Sequence, residues 1–194
     1  MDNLLKKYND YMRLKDCKVV YDLSNNTHIE VIYAENNFAH LIGLHKLKDI
    51  QLIQFWQDKT NKSVKLSTVI KRIKNSTFTE NMVKASVFYP LIQERYENFN
   101  YNNLTTLNYT DAVVNFNPNI IHSKIKSDYL LFEQKENNSY NHLGIALDKK
   151  KGYRYFETFF REPTNMYLSN QTVVKINHFT LYDKNNNIIV TDSF

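Results

Sequence analysis

Tyr140-Asn141-His142-Leu143-Gly144-Ile145-Ala146-Leu147-Asp148-Lys149-Lys150-Lys151-Gly152-Tyr153-Arg154-Tyr155-Phe156-Glu157-Thr158-Phe159-Phe160 is the stretch that decides the fold. Two β-prone runs flank a polar loop that ends in glycine, which is the pattern of an antiparallel hairpin. If Asp148 to Gly152 is the loop and Leu147 faces Tyr153, His142 falls opposite Thr158. Cross-strand partners share a face with Cβ atoms roughly 5 Å apart, so Tyr140, Arg154, Phe156 and Phe160 join His142 and Thr158 there. Leu143, Ile145 and Leu147 make the other face, the better core. His142, Thr158 and Arg154 then lie on a mixed aromatic and polar surface, where an RNA strand binds by stacking and charge. A solvated sheet face with no site has the same pattern, and a one-residue slip of register would exchange the faces.

Outward from the hairpin, Ala112 to Phe116, Asp128 to Gln134, Thr172 to Tyr182 and Ile188 to Thr191 are further β-prone runs. Short polar connections at Glu136 to Ser139 and Asp183 to Asn187 make sequential strands antiparallel. Only three glycines occur, so positive-φ turn positions fall largely to asparagine. Three glycines also exclude the glycine-rich loops that cradle phosphates and dinucleotides.

Toward the N-terminus the pattern turns helical. Leu4, Leu5, Tyr8, Tyr11, Met12 and Leu14 are spaced as an amphipathic helix over residues 3 to 16. Lys18 to Leu23 and His28 to Tyr33 form a second hairpin around Ser24-Asn25-Asn26-Thr27. Phe38 to Leu47, with Asn36 or Asn37 as N-cap, predicts a helix apolar around most of its circumference. Residues 66 to about 101 predict two or three helical pieces, with Pro90 in a first turn. The fold class is therefore α+β, with N-terminal and middle helices packed on a curved antiparallel β-sheet. One domain is expected over 1–194, helix-rich over 1–110 and sheet over 111–194.

The 25 Lys and Arg against 20 Asp and Glu give a net charge of +5, which favours an anionic partner such as a nucleic acid, although AT-rich coding also enriches lysine. The lone Cys17 excludes an internal disulfide and fits a reducing cytoplasm. The charged start of the chain lacks the apolar run of a signal peptide, and no segment suits a membrane span.

The six histidines do not have zinc spacing. On one helix His40 and His45 would be about 140° apart, whereas two ligands on a face need a separation of four residues. No metal and no cofactor is expected. His45 falls in the apolar stripe and is expected to be a hydrogen-bonded core residue; His40, at the edge beside Leu44 and Leu47, either braces a loop or faces a cleft. Lys124 and Lys126 share a side if Ser123 to Tyr129 is extended, spaced to meet phosphates or to protect a sheet edge. The Lys149-Lys150-Lys151 run is read as a solvated turn. There is no nucleophile elbow, and Cys17 has no histidine close by in sequence.

Asn37 to Leu47 after a hairpin, then Ser123 to Phe132, then Tyr140-Asn141-His142-Leu143, resemble the phage-associated branch of the barnase/EndoU/colicin/RelE-like nucleases, in particular its fourth type, over about residues 18 to 182. The resemblance implies an α+β ribonuclease whose site lies on the sheet face. It carries over to His40, Lys124, Lys126, His142 and Thr158, and Ser169-Asn170-Gln171 resembles a polar element of the family. On this reading His142 and His40 share the acid and base roles without a metal, Thr158 orients the phosphate, and Lys124, Lys126, Arg154 and Gln171 bind substrate. The partner is RNA, cut through a 2′,3′-cyclic phosphate, with an antitoxin or host protein as further candidates. The rival expectation is a non-catalytic phage accessory protein that binds nucleic acid or a host protein on the same scaffold.

Overall fold

A computed structural model describes residues 2–58, 60, 63–106, 109–135 and 138–194. The chain forms two compact units, one of residues 1–13 and 35–104, the other of 14–34 and 105–194. The turn read at Glu136 to Ser139 begins outside the described residues.

The first unit is helical. Helix α1 (Asn3–Met12) is N-capped by Asp2, whose carboxylate accepts from the Leu4 and Leu5 amides. Its apolar stripe, Leu4, Tyr8 and Tyr11, is buried, with Tyr8 edge-on to Phe38 at 5.3 Å. The predicted helix over 38–47 is broken. Helix α2 (Phe38–Leu41) stops before Gly43, which takes φ +89°, and a 3-10 turn (Leu44–Lys46) follows. A Cβ on Gly43 would lie 2.7 Å from Ile92 Cγ2 and 2.8 Å from Arg95 Cδ, so glycine is required for both conformation and close approach. Helix α3 (Gln51–Gln57) has no counterpart in the sequence reading. Then come α4 (Leu66–Lys74), α5 (Glu80–Lys84), a 3-10 turn with Pro90 in its first turn, α6 (Gln93–Glu97) and α7 (Tyr101–Thr106). Ile53, Val69, Ile73, Phe78, Val83 and Tyr96 are fully buried, and a fully buried side chain of this kind contributes about 1.5–3 kcal/mol.

The second unit is an eight-stranded sheet: β1 (Lys18–Leu23), β2 (His28–Ile32), β3 (Asp111–Val114), β4 (Tyr129–Gln134), β5 (Tyr140–Asp148), β6 (Tyr153–Glu162), β7 (Thr172–Tyr182) and β8 (Ile188–Ser193). The strand order is β1-β2-β6-β5-β4-β3-β7-β8, and β1 also pairs with β7, so the sheet closes into a barrel. This corrects the expectation of a curved, wholly antiparallel sheet. The early hairpin inserts between β6 and β7 and seals both edges, and its contact with β6 is parallel, through Val31↔Arg154 and Ile32↔Tyr155. Closure pairs the outer edges of β1 and β2, which an open sheet would leave exposed, and β8, which pairs with β7 alone, is an edge strand. The non-glycine residues at positive φ include Asn26, Asn115, Asn138, Asn170 and Asn186, so asparagine does take the turn positions. Among the described residues no helix is long and apolar enough to cross a membrane.

Candidate active site

The β5–β6 hairpin positions most of the candidate side chains, in a register other than the expected one. Asp148 pairs with Tyr153 and Leu147 with Arg154, so the loop is one residue shorter than expected. Between Ile145↔Phe156 and Gly144↔Thr158 strand β6 carries one extra residue, Glu157, as a bulge. The two shifts add: His142 lies opposite Phe160, and Thr158 lies opposite Gly144. The expected His142–Thr158 pair is thereby corrected.

The bulge gives Glu157 its environment. Its carboxylate accepts from Ser127 Oγ at 2.7 Å and from the Lys126 amide at 3.2 and 3.3 Å. Burial nevertheless wins over these bonds and raises the Glu157 pKa above the ordinary carboxylate value. Gly144 makes this arrangement possible, because a Cβ there would overlap Ser127 Oγ and come within 2.9 Å of Thr158 Cγ2. The Asp128 amide donates to Ile145 O at 2.8 Å, and its carboxylate accepts from the Leu147 amide at 3.0 Å, which fastens the Ser123–Asp128 segment along β5.

Cations lie on the same framework. Lys124 and Lys126 are exposed on the fastened segment. Arg154 is half-buried, its guanidinium 5.4 Å from the Tyr129 ring centroid and its Nε without a hydrogen-bond partner. Thr158, next to Glu157, is half-buried. Gln171 is committed elsewhere: its Oε1 accepts from the Asn117 amide at 3.1 Å and its Nε2 donates to Asn117 O at 3.0 Å, so the amide acts as a strand-like clip.

His142 is not at a solvated surface. It is 0% exposed, stacked on Phe160 at 4.9 Å and ringed by Tyr167 at 5.5 Å, Phe132 at 6.1 Å and Tyr140 at 6.2 Å. Neither ring nitrogen has a hydrogen-bond partner, and burial lowers the pKa to about 4. The surface expectation fails because the chain folds back over that face. Ile121, Ile125, Tyr167 and Leu168 pack against a cluster of Val113, Phe116, Leu130 and Phe132.

His40 belongs to the helical unit. It is exposed, with its ring 5.1 Å from His45 and 5.2 Å from Trp56. His45 is half-buried rather than a satisfied core residue: its Nδ1 is buried without a hydrogen-bond partner. Among the described residues no three His, Cys, Asp or Glu side chains gather as a metal site requires.

Of the groups expected to carry chemistry, Lys126 and Thr158 are brought together around Glu157. Sequence reasoning missed Glu157 itself, although Phe156, Phe159 and Phe160 break the two-residue alternation beside it, which is the signature of a bulge.

A half-buried carboxylate of raised pKa beside Lys126 is equipment for moving a proton. The chain belongs to the family described as phage-Barnase-EndoU-ColicinE5/D-RelE like nuclease4, which matches residues 3–192 and so runs through both units. No curated protein and no solved structure matches the chain.

Proposed function

We propose that the protein is an endoribonuclease that works without a metal and leaves a 2′,3′-cyclic phosphate, with Glu157 as the general base. The observation that carries this reading is the half-buried Glu157 carboxylate, raised in pKa by burial yet held in place by Ser127 and the Lys126 amide. A raised carboxylate pKa is what a base that must accept a proton near neutrality needs.

In the proposed step Glu157 takes the proton of the ribose 2′-hydroxyl, and the 2′-oxygen attacks the adjacent phosphorus. The bond to the 5′-oxygen breaks, and that oxygen takes a proton from water or from a lysine ammonium. Lys124, Lys126 and Arg154 offset the charge that builds on the phosphate, and the Thr158 hydroxyl donates to a phosphate oxygen. His142 takes no part in this scheme, because a fully buried imidazole with a pKa near 4 does not meet substrate.

The test is incubation of the protein and its Glu157→Gln variant with mixed-sequence RNA in EDTA, reading fragment lengths and 3′ ends. Cyclic-phosphate ends that fall by about 10²–10⁴ in rate in the variant support the reading. A loss under threefold removes Glu157 as base, and intact RNA across pH 5 to 9 turns the assignment to a binding protein on the nuclease scaffold.

A further inference from the structure

The helical unit holds a second concentration of nucleic-acid chemistry that the proposed reaction does not use. The 3-10 turn Leu44–Lys46 carries His45 and Lys46, and Lys48 follows it. Helix α3 clamps this turn: Gln57 Nε2 donates to His45 O at 2.5 Å, and Gln54 Nε2 donates to Lys48 O at 2.7 Å. The clamp places Trp56, on the same helix, edge-on to His40. Two rings of a half-exposed aromatic group are thus fixed on a short, braced surface.

The groups that set the His45 pKa all act in one direction. His45 is held down to about 3 by burial first, then by His40, Lys46, Arg95 and Lys48, of which the lysines and the arginine are cations at neutral pH. Lys46 is likewise lowered by burial and by Arg95 and Lys48. Arg95 is 9% exposed and packs its Cδ under Gly43, and burial lowers it to about 10. The acid that follows Lys48, Asp49, spends its carboxylate on Ser86 Oγ at 2.5 Å and the Val87 amide at 3.0 Å. Cations crowded against one another depress each other's protonation, and an anion bound among them relieves that repulsion.

We propose that His40, Trp56, Lys46 and Lys48 form a binding subsite for single-stranded nucleic acid, in which a base stacks on the Trp56 ring with the His40 ring at its edge and a neighbouring phosphate is held by the two lysines. Aromatic platforms beside a basic strip are the general means of holding a single strand without reading its sequence. The inference rests on the proposal that the protein acts on RNA, and it adds where the strand is gripped outside the bulge of the sheet.

Trp56 is the only tryptophan in the chain, so its emission reports this subsite directly. The experiment titrates the full chain with a 2′-O-methyl RNA of about ten nucleotides, which the proposed reaction does not cut and which matches the length a stacking platform holds. Saturable change in Trp56 emission is expected, with affinity falling about sevenfold between 50 and 200 mM salt for two phosphate contacts. The exposed pair Lys46→Glu and Lys48→Glu should weaken binding about tenfold or more with the thermal midpoint unchanged, and Trp56→Leu should do so by fluorescence anisotropy of a labelled strand. Glu157→Gln should leave the titration unchanged, so a dead catalyst and an absent subsite give different results. The proposal is overturned if the strand binds by anisotropy with no change in Trp56 emission, if the lysine pair leaves affinity unchanged, or if duplex DNA produces the same change in emission at the same affinity.

Discussion

The His40 and His45 rings lie 5.1 Å apart, although they are five positions apart in sequence and a continuous helix would turn them to different sides. The cause is Gly43, whose left-handed conformation ends α2 and starts a tighter turn. Gly43→Ala therefore combines a positive-φ penalty with overlap on Ile92 and Arg95. A loss of about 2 kcal/mol or more is expected. Urea unfolding measures it, and a Trp56 emission spectrum unchanged from wild type would show that the turn survives without glycine.

The raised pKa of Glu157 sets the pH dependence of the proposed reaction. The base must be ionised, so kcat/KM should rise with pH through a value above the ordinary carboxylate range and then level. Ser127 donates to the charged form and holds the pKa down. Ser127→Ala should move the acid limb of the profile to higher pH. A limb that stays in place, or moves the other way, would separate Ser127 from the base.

The same group has a stability consequence of definite sign. A carboxyl whose folded pKa is raised binds its proton more tightly when folded, so its contribution weakens as pH rises from the unfolded value through the folded one. Glu157→Gln should therefore gain stability relative to wild type as pH rises across that window. Denaturation midpoints of both proteins at pH 4 and pH 7 test this, and a difference independent of pH would mean that Glu157 titrates at its unfolded value.

Lys124 and Lys126 are exposed on the segment that carries Ser127, and their replacement should be felt in the reaction rather than in the fold. The double change Lys124→Ala and Lys126→Ala should lower kcat/KM for RNA and flatten its salt dependence by about two phosphate contacts. Exposed substitutions of this kind stay within about 0.5 kcal/mol in stability. A salt slope equal to that of wild type would place the phosphate elsewhere.

The strands were legible because alternation and asparagine turns mark them locally: β1 is read at Lys18 to Leu23 and β7 at Thr172 to Tyr182, as they stand in the structure. Closure of the barrel was not, because it hangs on the antiparallel pairing of β1 with β7 and on two parallel residue pairs between Val31–Ile32 and Arg154–Tyr155, all far apart in sequence. Helix α3 was missed although Leu52, Ile53 and Trp56 have helical spacing. Its register signal is short and lies between a turn and a polar stretch. At the candidate site, Lys126 and Thr158 could be read from residue type, whereas the importance of Glu157 depends on a bulge, which exists only once a partner strand has a register. The burial of His142 depends on irregular segments that fold over it, and these have no periodicity to read.

His142 gives the last prediction. Its pKa falls from 6.5 to about 4 on folding, so the folded state keeps the imidazole neutral where the unfolded chain takes up a proton. Stability is full above pH 6.5 and is lost as pH falls toward 4, by up to about 3 kcal/mol from this residue. His45, lowered to about 3, acts in the same direction. His142→Leu, close in volume and free of two buried ring nitrogens that lack partners, should flatten the acid limb of a urea-unfolding series between pH 7 and 4.5 and raise stability at the lower pH. It should also keep RNA cleavage within about threefold of wild type. A loss of cleavage of about 10² or more with the fold retained would return His142 to the reaction and require the rings of Phe160 and Tyr167 to open in solution.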